Sequence, residues 1–239
     1  MNLSKKPFSE FSIPDDLVAD AIDFFAPKIT ENRLNRLVRT LDMRSNYVIP
    51  VMEDLYQEQN AGAIVRTAEC CGFQEVGIIE RLNRYKMAPG IAKGAQKWVD
   101  KTFFDTRYDD PMKLALEHYK DRGYTLVGAC PHSSGHTVET LPLDQPLAIY
   151  FGAEKMGLHP DLHKSMDTFV SIPMRGFTES YNVSVSAAII LQTLRQRLEG
   201  MDLPYLLDEN HKRSLLIKWI IQSIPKGSEQ LKQWQRKIA

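Results

Sequence analysis

Short apolar runs alternate with longer amphipathic ones through most of the chain. "YVIPVMED" reads as a buried strand, "NAGAIVRTAECCG" as a helix closing on Gly72, and "EVGIIE" as the next strand. "DDPMKLALEHYKDRG" predicts a helix with Pro111 near its start and Gly123 at its end. "YTLVGAC", "PLAIYFG" and "DTFVSIPM" predict three further strands, and "SYNVSVSAAIILQTLRQRLEG" a long helix ended by Gly200. Strands alternating with helices in this way give an α/β domain with a mainly parallel sheet over residues 46–199. The flanks read differently. Residues 14–44 look helical, with Thr30 as a cap; Leu34, Leu37, Val38 and Leu41 fall on one face, and Arg33, Arg36, Arg39 and Arg44 lie mostly off it. The expected organisation is therefore a basic helical extension over 1–45, the α/β domain over 46–199, and a second basic helical extension over 200–239.

In a parallel sheet, ligands sit outside the carboxyl ends of the strands. Four segments are candidates on that ground: "EDLYQEQNAGAIVR", "GACPHSSGH", "FGAEKMGLHP" and "PMRGFTESYN". None carries G-x-G-x-x-G, which removes the dinucleotide fingerprint. In "GAEKMGLH", Leu158 and His159 stand where a phosphate-binding loop needs Lys and Ser or Thr. His132 with His136, and His159 with His163, have i, i+4 spacing but lack the Glu of H-E-x-x-H, so no metal is expected.

Composition adds exclusions. No run approaches the ~18 apolar residues of a membrane span, and "MNLSKKPFSEFSIPDD" has no signal-peptide core, so a cytoplasmic protein away from membranes is expected. Three cysteines, Cys70 and Cys71 adjacent and Cys130 distant, make a poor disulfide framework and read as reduced core or pocket thiols. Formal net charge is zero, yet its distribution is uneven. Arg81–Lys101 holds six bases against one acid, and His211–Ala239 seven against one. Such clusters can track a phosphate backbone, although each alone is as readily a solvated face.

Three strand-end segments remain. Asn60 and Arg66 flank small residues in "QNAGAIVRTAE"; Glu154 lies between glycines in "FGAEKMGL"; Ser180 and Asn182 precede the final helix in "ESYNVSVSAA". Singly these read as a helix cap, a surface arginine, a turn and another cap. Together, in this order, "NAGAIVRTAECCGF", "YFGAEKMGL" and "IPMRGFTESYNVSVSAAIIL" resemble the three motifs of the knotted SPOUT methyltransferases, in the branch that methylates RNA ribose 2′-hydroxyls with S-adenosylmethionine. The third motif is typically S-L-N-V-S, and Tyr181 takes the Leu position here.

That resemblance implies a deep C-terminal trefoil knot in the parallel sheet, which general topology rules would have argued against. It also implies a homodimer whose methyl-donor pocket is completed across the interface. Loops at Ala129, Gly152, Ile172 and Tyr181 would line the pocket. Small residues such as Ser184, Ser186, Ala187 and Ala188 would suit the threaded crossing, and Ser180 and Asn182 would orient the active site. Arg66 would act on the target ribose, either as general base or by stabilising the developing alkoxide. A guanidinium pKa above ~12 favours the second role. Asn60 would position the helix start and Glu154 would fix its partners.

The flanks bear on the substrate. Basic helical extensions, in place of a separate N-terminal RNA-binding domain, are similar to the bacterial tRNA enzymes that methylate a D-loop guanosine, which makes guanosine 18 of tRNA the expected target. Ribosomal RNA or another tRNA position is one alternative, and a non-catalytic RNA-binding protein that retains the knot is the other.

Overall fold

Apolar runs of strand length assemble here into one fully parallel sheet. The computed structural model describes residues 13–85, 94–132, 134–154 and 156–238, in two compact units. The first, residues 45–205, holds β1 (Val48–Glu53), β2 (Glu75–Ile79), β3 (Asp100–Phe104), β4 (Thr125–Ala129), β5 (His136–Thr137), β6 (Leu147–Phe151) and β7 (Thr168–Ser171). Their order is β3-β2-β1-β6-β4-β7-β5, and every pairing is parallel.

β1, β2 and β6 are buried along their whole length, because helices cover both faces and each strand must be apolar on both. Residues of alternate parity go to opposite layers. Val48 and Met52 pack with Ile64 and Val65 of α3 (Glu58–Cys70) and with Leu191 and Leu194 of α6 (Val183–Glu199). Ile49 and Val51 pack with Ala115 and Tyr119 of α4 (Pro111–Asp121) and with Leu162 of α5 (Pro160–Ser165). The predicted helix stops hold: Gly72 and Gly123 adopt φ of +77° and +80°, where a Cβ would be strained.

Sequence periodicity missed β3, β5 and α5. β3 opens Asp100-Lys101-Thr102 on a half-exposed edge, β5 has two residues, and α5 is a short helix begun by Pro160. α6 begins at Val183, not at Ser180, because Asn182 has extended geometry and caps the helix, its Oδ1 accepting from the Ser184 N–H at 2.8 Å.

The second unit joins α1 (Val18–Phe25) and α2 (Glu31–Leu41) to α7 (Glu209–Ser223) and α8 (Gly227–Ile238). Thr30 caps α2 as expected, accepting the Arg33 N–H at 3.3 Å. Leu37 and Leu41 are buried, but Val38, placed by periodicity on the same face, is exposed. The Trp234 ring lies 5.9 Å from Phe25 and 6.2 Å from Phe24, and the fully buried Arg44 guanidinium stacks over Trp219 at 5.2 Å. Helices from both chain ends thus share one core. No described helix is long and apolar enough to cross a membrane.

Candidate active site

β6, β4 and β7 are neighbours running in one direction, so their carboxyl ends open side by side. The loops that follow them surround a cavity of about 540 Å³. Ala129, Gly152, Ile172 and Tyr181, the four candidate cofactor positions, all line it, as do Glu154, Ser180 and Asn182. Leu158, Val170 and Ile190 supply an apolar wall. A concave, largely apolar site with a few polar groups, in the range of roughly 300–1,000 Å³, is the usual form of a small-molecule pocket.

In "FGAEKMGL", Gly152 permits a close backbone approach and Gly157 a left-handed turn. A Cβ on Gly152 would fall 2.2 Å from the Gly157 carbonyl carbon, and Gly157 itself has φ +67°. The Gly157 N–H donates to the Ala153 carbonyl at 2.8 Å and closes the turn. A similar approach occurs at Gly135, whose Cβ would lie 2.3 Å from the Phe169 carbonyl oxygen.

Glu154 joins this cavity to α3. Its Oε1 accepts from Asn60 Nδ2 at 2.7 Å and from the Gln57 N–H at 3.3 Å, and its Oε2 accepts from the Tyr56 N–H at 3.3 Å. Asn60 therefore does not cap its own helix: it is buried inside the first turn of α3, and Gln57, at the cap position, makes no side-chain cap bond. Glu154 caps the helix from another loop, placing a carboxylate where free N–H groups and the helix dipole favour negative charge. Partial burial pushes the Glu154 carboxyl up, but the bonds from Asn60 and from backbone N–H groups outweigh it and hold the group below its ordinary value.

Arg66 is exposed on α3, six residues beyond Asn60 or roughly 9 Å along the axis, and does not line the cavity. Ser180 and Tyr181 lie exposed in the segment leading to α6. The Asn182 Oδ1 is occupied by the helix cap and by the Ser184 hydroxyl at 2.7 Å.

Sequence reading missed Glu53 and Asp54, two consecutive acids at the end of an apolar strand. Buried Glu53 accepts the His159 N–H at 2.9 Å and lies 3.5 Å from Arg81, tying the far end of the cavity loop to β1. Burial pushes its carboxyl above the ordinary value despite these partners. The histidine pairs have local roles: His159 Nδ1 accepts the Asp161 N–H at 3.3 Å, and the His163 ring lies 4.4 Å from that of Phe169. Among the described residues no group of three or more His, Cys, Asp or Glu could hold a metal. Cys130 lines the cavity and Cys71 is buried, whereas Cys70 is exposed, contrary to its reading as a core or pocket thiol. Of the first basic cluster, Lys86 and Lys93 lie outside the described residues.

Comparison with known proteins agrees with this geometry. The chain is 34% identical to the tRNA (guanosine(18)-2′-O)-methyltransferase of Borreliella burgdorferi, over 88% of this chain and 94% of that one. Its fold matches the crystal structure of the A. aeolicus TrmH/SpoU tRNA modifying enzyme with a TM-score of 0.69 and 28% identity, over 82% of this chain and 98% of that one. It also matches, at a TM-score of 0.52 and 22% identity, the SpoU methyltransferase AviRb from Streptomyces viridochromogenes in complex with AdoMet, over 68% of this chain and 62% of that one. The model of the SpoU rRNA Methylase family covers residues 47–192, the stretch that holds every strand and all three motifs, and the chain belongs to that family.

Proposed function

We propose that this protein transfers a methyl group from S-adenosylmethionine to the ribose 2′-hydroxyl of guanosine 18 in tRNA. The observation that carries the reading is the convergence of the three motifs on one cavity, through the Asn60–Glu154 bond and the loops at Gly152 and Ile172. A curated relative of nearly the same length bears this activity in its name, which supports the target.

The cavity fits the cofactor: its volume suits a small molecule, and Gly152, Ala153 and Gly157 of the tight turn line it without bulky side chains. Ala129, Gly152, Ile172 and Tyr181 would hold it, and its sulfonium supplies the methyl group. The remaining work falls to the chain. Asn60 and Glu154 fix the start of α3 against the cavity, and Ser180 and Asn182 orient its rim. Arg66 holds the adjacent phosphate and stabilises the alkoxide that develops as the 2′-hydroxyl loses its proton.

Because Arg66 stands on α3 away from the cavity lining, the site is best completed by Arg66 of a second copy, which supports a homodimer. Threading of the chain as a trefoil knot is supported by the close backbone approaches at Gly135 and Gly152 and by the small residues Ser184, Ser186, Ala187 and Ala188, buried or half-buried at the start of α6. The three-part organisation of core and basic extensions and a cytoplasmic site of action belong to the same reading.

The test is transfer of tritiated methyl from S-adenosylmethionine to unmodified tRNA and, separately, to ribosomal RNA, followed by nuclease digestion and nucleoside mapping. Label as 2′-O-methylguanosine at position 18 of tRNA is expected. Label confined to ribosomal RNA would overturn the target, and no label in either would overturn the enzymatic reading.

A further inference from the structure

At the carboxyl end of β1 the chain turns through Asp54, whose φ of +47° is in the left-handed region that aspartate, asparagine and glycine tolerate best. Its Oδ1 accepts three consecutive backbone N–H groups, from Arg81 at 2.7 Å, Leu82 at 3.0 Å and Asn83 at 3.2 Å. Its carbonyl oxygen accepts from Asn83 Nδ2 at 3.1 Å, and its own N–H donates to the Ile79 carbonyl at 3.0 Å. At the start of the same loop, Glu80 accepts the Tyr85 N–H at 2.8 Å. Residues 80–85, which follow β2, are therefore fixed at both Glu80 and Arg81–Asn83, and Asp54 holds them against the segment that enters α3.

This clamp brings two kinds of side chain to one surface. The Tyr56 ring is 77% exposed although its backbone N–H is fixed by Glu154 at 3.3 Å. Arg84 is exposed and has no ion pair or hydrogen-bonded partner among the described residues. Both border one shallow depression, with Asn83 and Glu58, that encloses about 20 Å³. Such a space admits water but no base, so a ligand must lie on the surface rather than enter it. Glu58 on the same rim makes a run of bare phosphates unfavourable there. An exposed aromatic ring and an unpaired guanidinium on fixed backbone are the groups that hold an unstacked nucleotide, the ring against the base and the cation on its phosphate.

We infer that Tyr56 and Arg84 form a contact for one unpaired nucleotide of the RNA beside the methylation site, with Asp54 as the positioning residue that presents Arg84. The inference rests on the reading of the cavity as an RNA methylation site, because Glu154, which holds the Tyr56 backbone, also lines that cavity.

Filter binding of unmodified tRNA across a salt series, with S-adenosylmethionine affinity and sedimentation measured in parallel, tests it. Tyr56→Ala should weaken tRNA binding about tenfold, the loss expected for one base–aromatic stack, while Tyr56→Phe binds as the parent does. Arg84→Gln should weaken binding and flatten the salt dependence by about one phosphate contact. Asp54→Gly, which tolerates the backbone angle but loses the acceptor, should reproduce Arg84→Gln, and Asp54→Asn, which keeps both, should not. Unchanged binding in Tyr56→Ala and Arg84→Gln would overturn the proposal, as would an altered sedimentation of Tyr56→Ala, which would assign Tyr56 to a contact between chains. A parent protein that binds tRNA through these residues but methylates nothing would overturn the functional reading and leave this RNA contact standing.

Discussion

Asn60 and Glu154 stand 94 positions apart, and one hydrogen bond of 2.7 Å makes them a unit. With the Asn60 amide in place, the folded protein favours ionised Glu154, so the cap it gives α3 is complete above the ordinary carboxylate range and is lost as pH falls through the depressed folded value. Asn60→Ala removes the largest of the stabilising hydrogen bonds and leaves the opposing burial in place. The acid limb of methyl transfer should move to higher pH in this variant, and a pH–rate profile checks it. Arg66 makes the opposite prediction. It is exposed and outside the cavity lining, so Arg66→Ala should keep the fold and S-adenosylmethionine affinity while turnover falls by ~100-fold or more, the order expected for loss of one group that stabilises developing charge. Isothermal titration beside single-turnover rates separates the two effects; an active Arg66→Ala enzyme would remove Arg66 from the chemistry.

At the scale of elements, what the sequence made legible follows from where each element lies. β1, β2 and β6 stood out because the middle of a parallel sheet must be apolar on both faces, and α4 because Asp110, Pro111 and Gly123 punctuate it. β3 was hidden because its first three residues face partly outward at the edge, and an Asp-Lys-Thr run carries no strand signal there. Pocket positions such as Ala129 and Ile172 have no chemistry of their own to betray them; they were found through motif resemblance, and the sheet order then explains why they meet. Asp54 escaped notice because its role lies in a backbone angle and three acceptor bonds, which spacing cannot encode. The Gly152–Gly157 turn yields a prediction at this scale. Gly152→Ala places a Cβ against backbone that has no flexible end to move aside, so the loop must open. S-adenosylmethionine affinity should fall more than about tenfold and the melting temperature should drop, measured by titration and thermal unfolding; unchanged affinity would separate that turn from the cofactor.

For the whole molecule, charge distribution matters more than its zero sum. Lys212 is engaged with Asp42 at 3.3 Å and Glu209 at 2.9 Å. Lys232, Arg236 and Lys237 lie exposed on α8. Neutralising these three together should weaken tRNA binding and reduce the salt slope by roughly 0.9 for each phosphate that is no longer neutralised, with S-adenosylmethionine affinity unchanged. Unchanged slope would make that helix face a solvated surface.

The shared core of the two chain ends has a consequence during synthesis. Phe25 is covered in the finished protein partly by Trp234, which leaves the ribosome about 200 residues later. At roughly 5–20 residues per second, the apolar faces of α1 and α2 wait some ten to forty seconds for α7 and α8. Over that interval the nascent chain carries sticky helices ahead of a growing sheet, so its yield in the cell depends on what shields them until the final helix emerges.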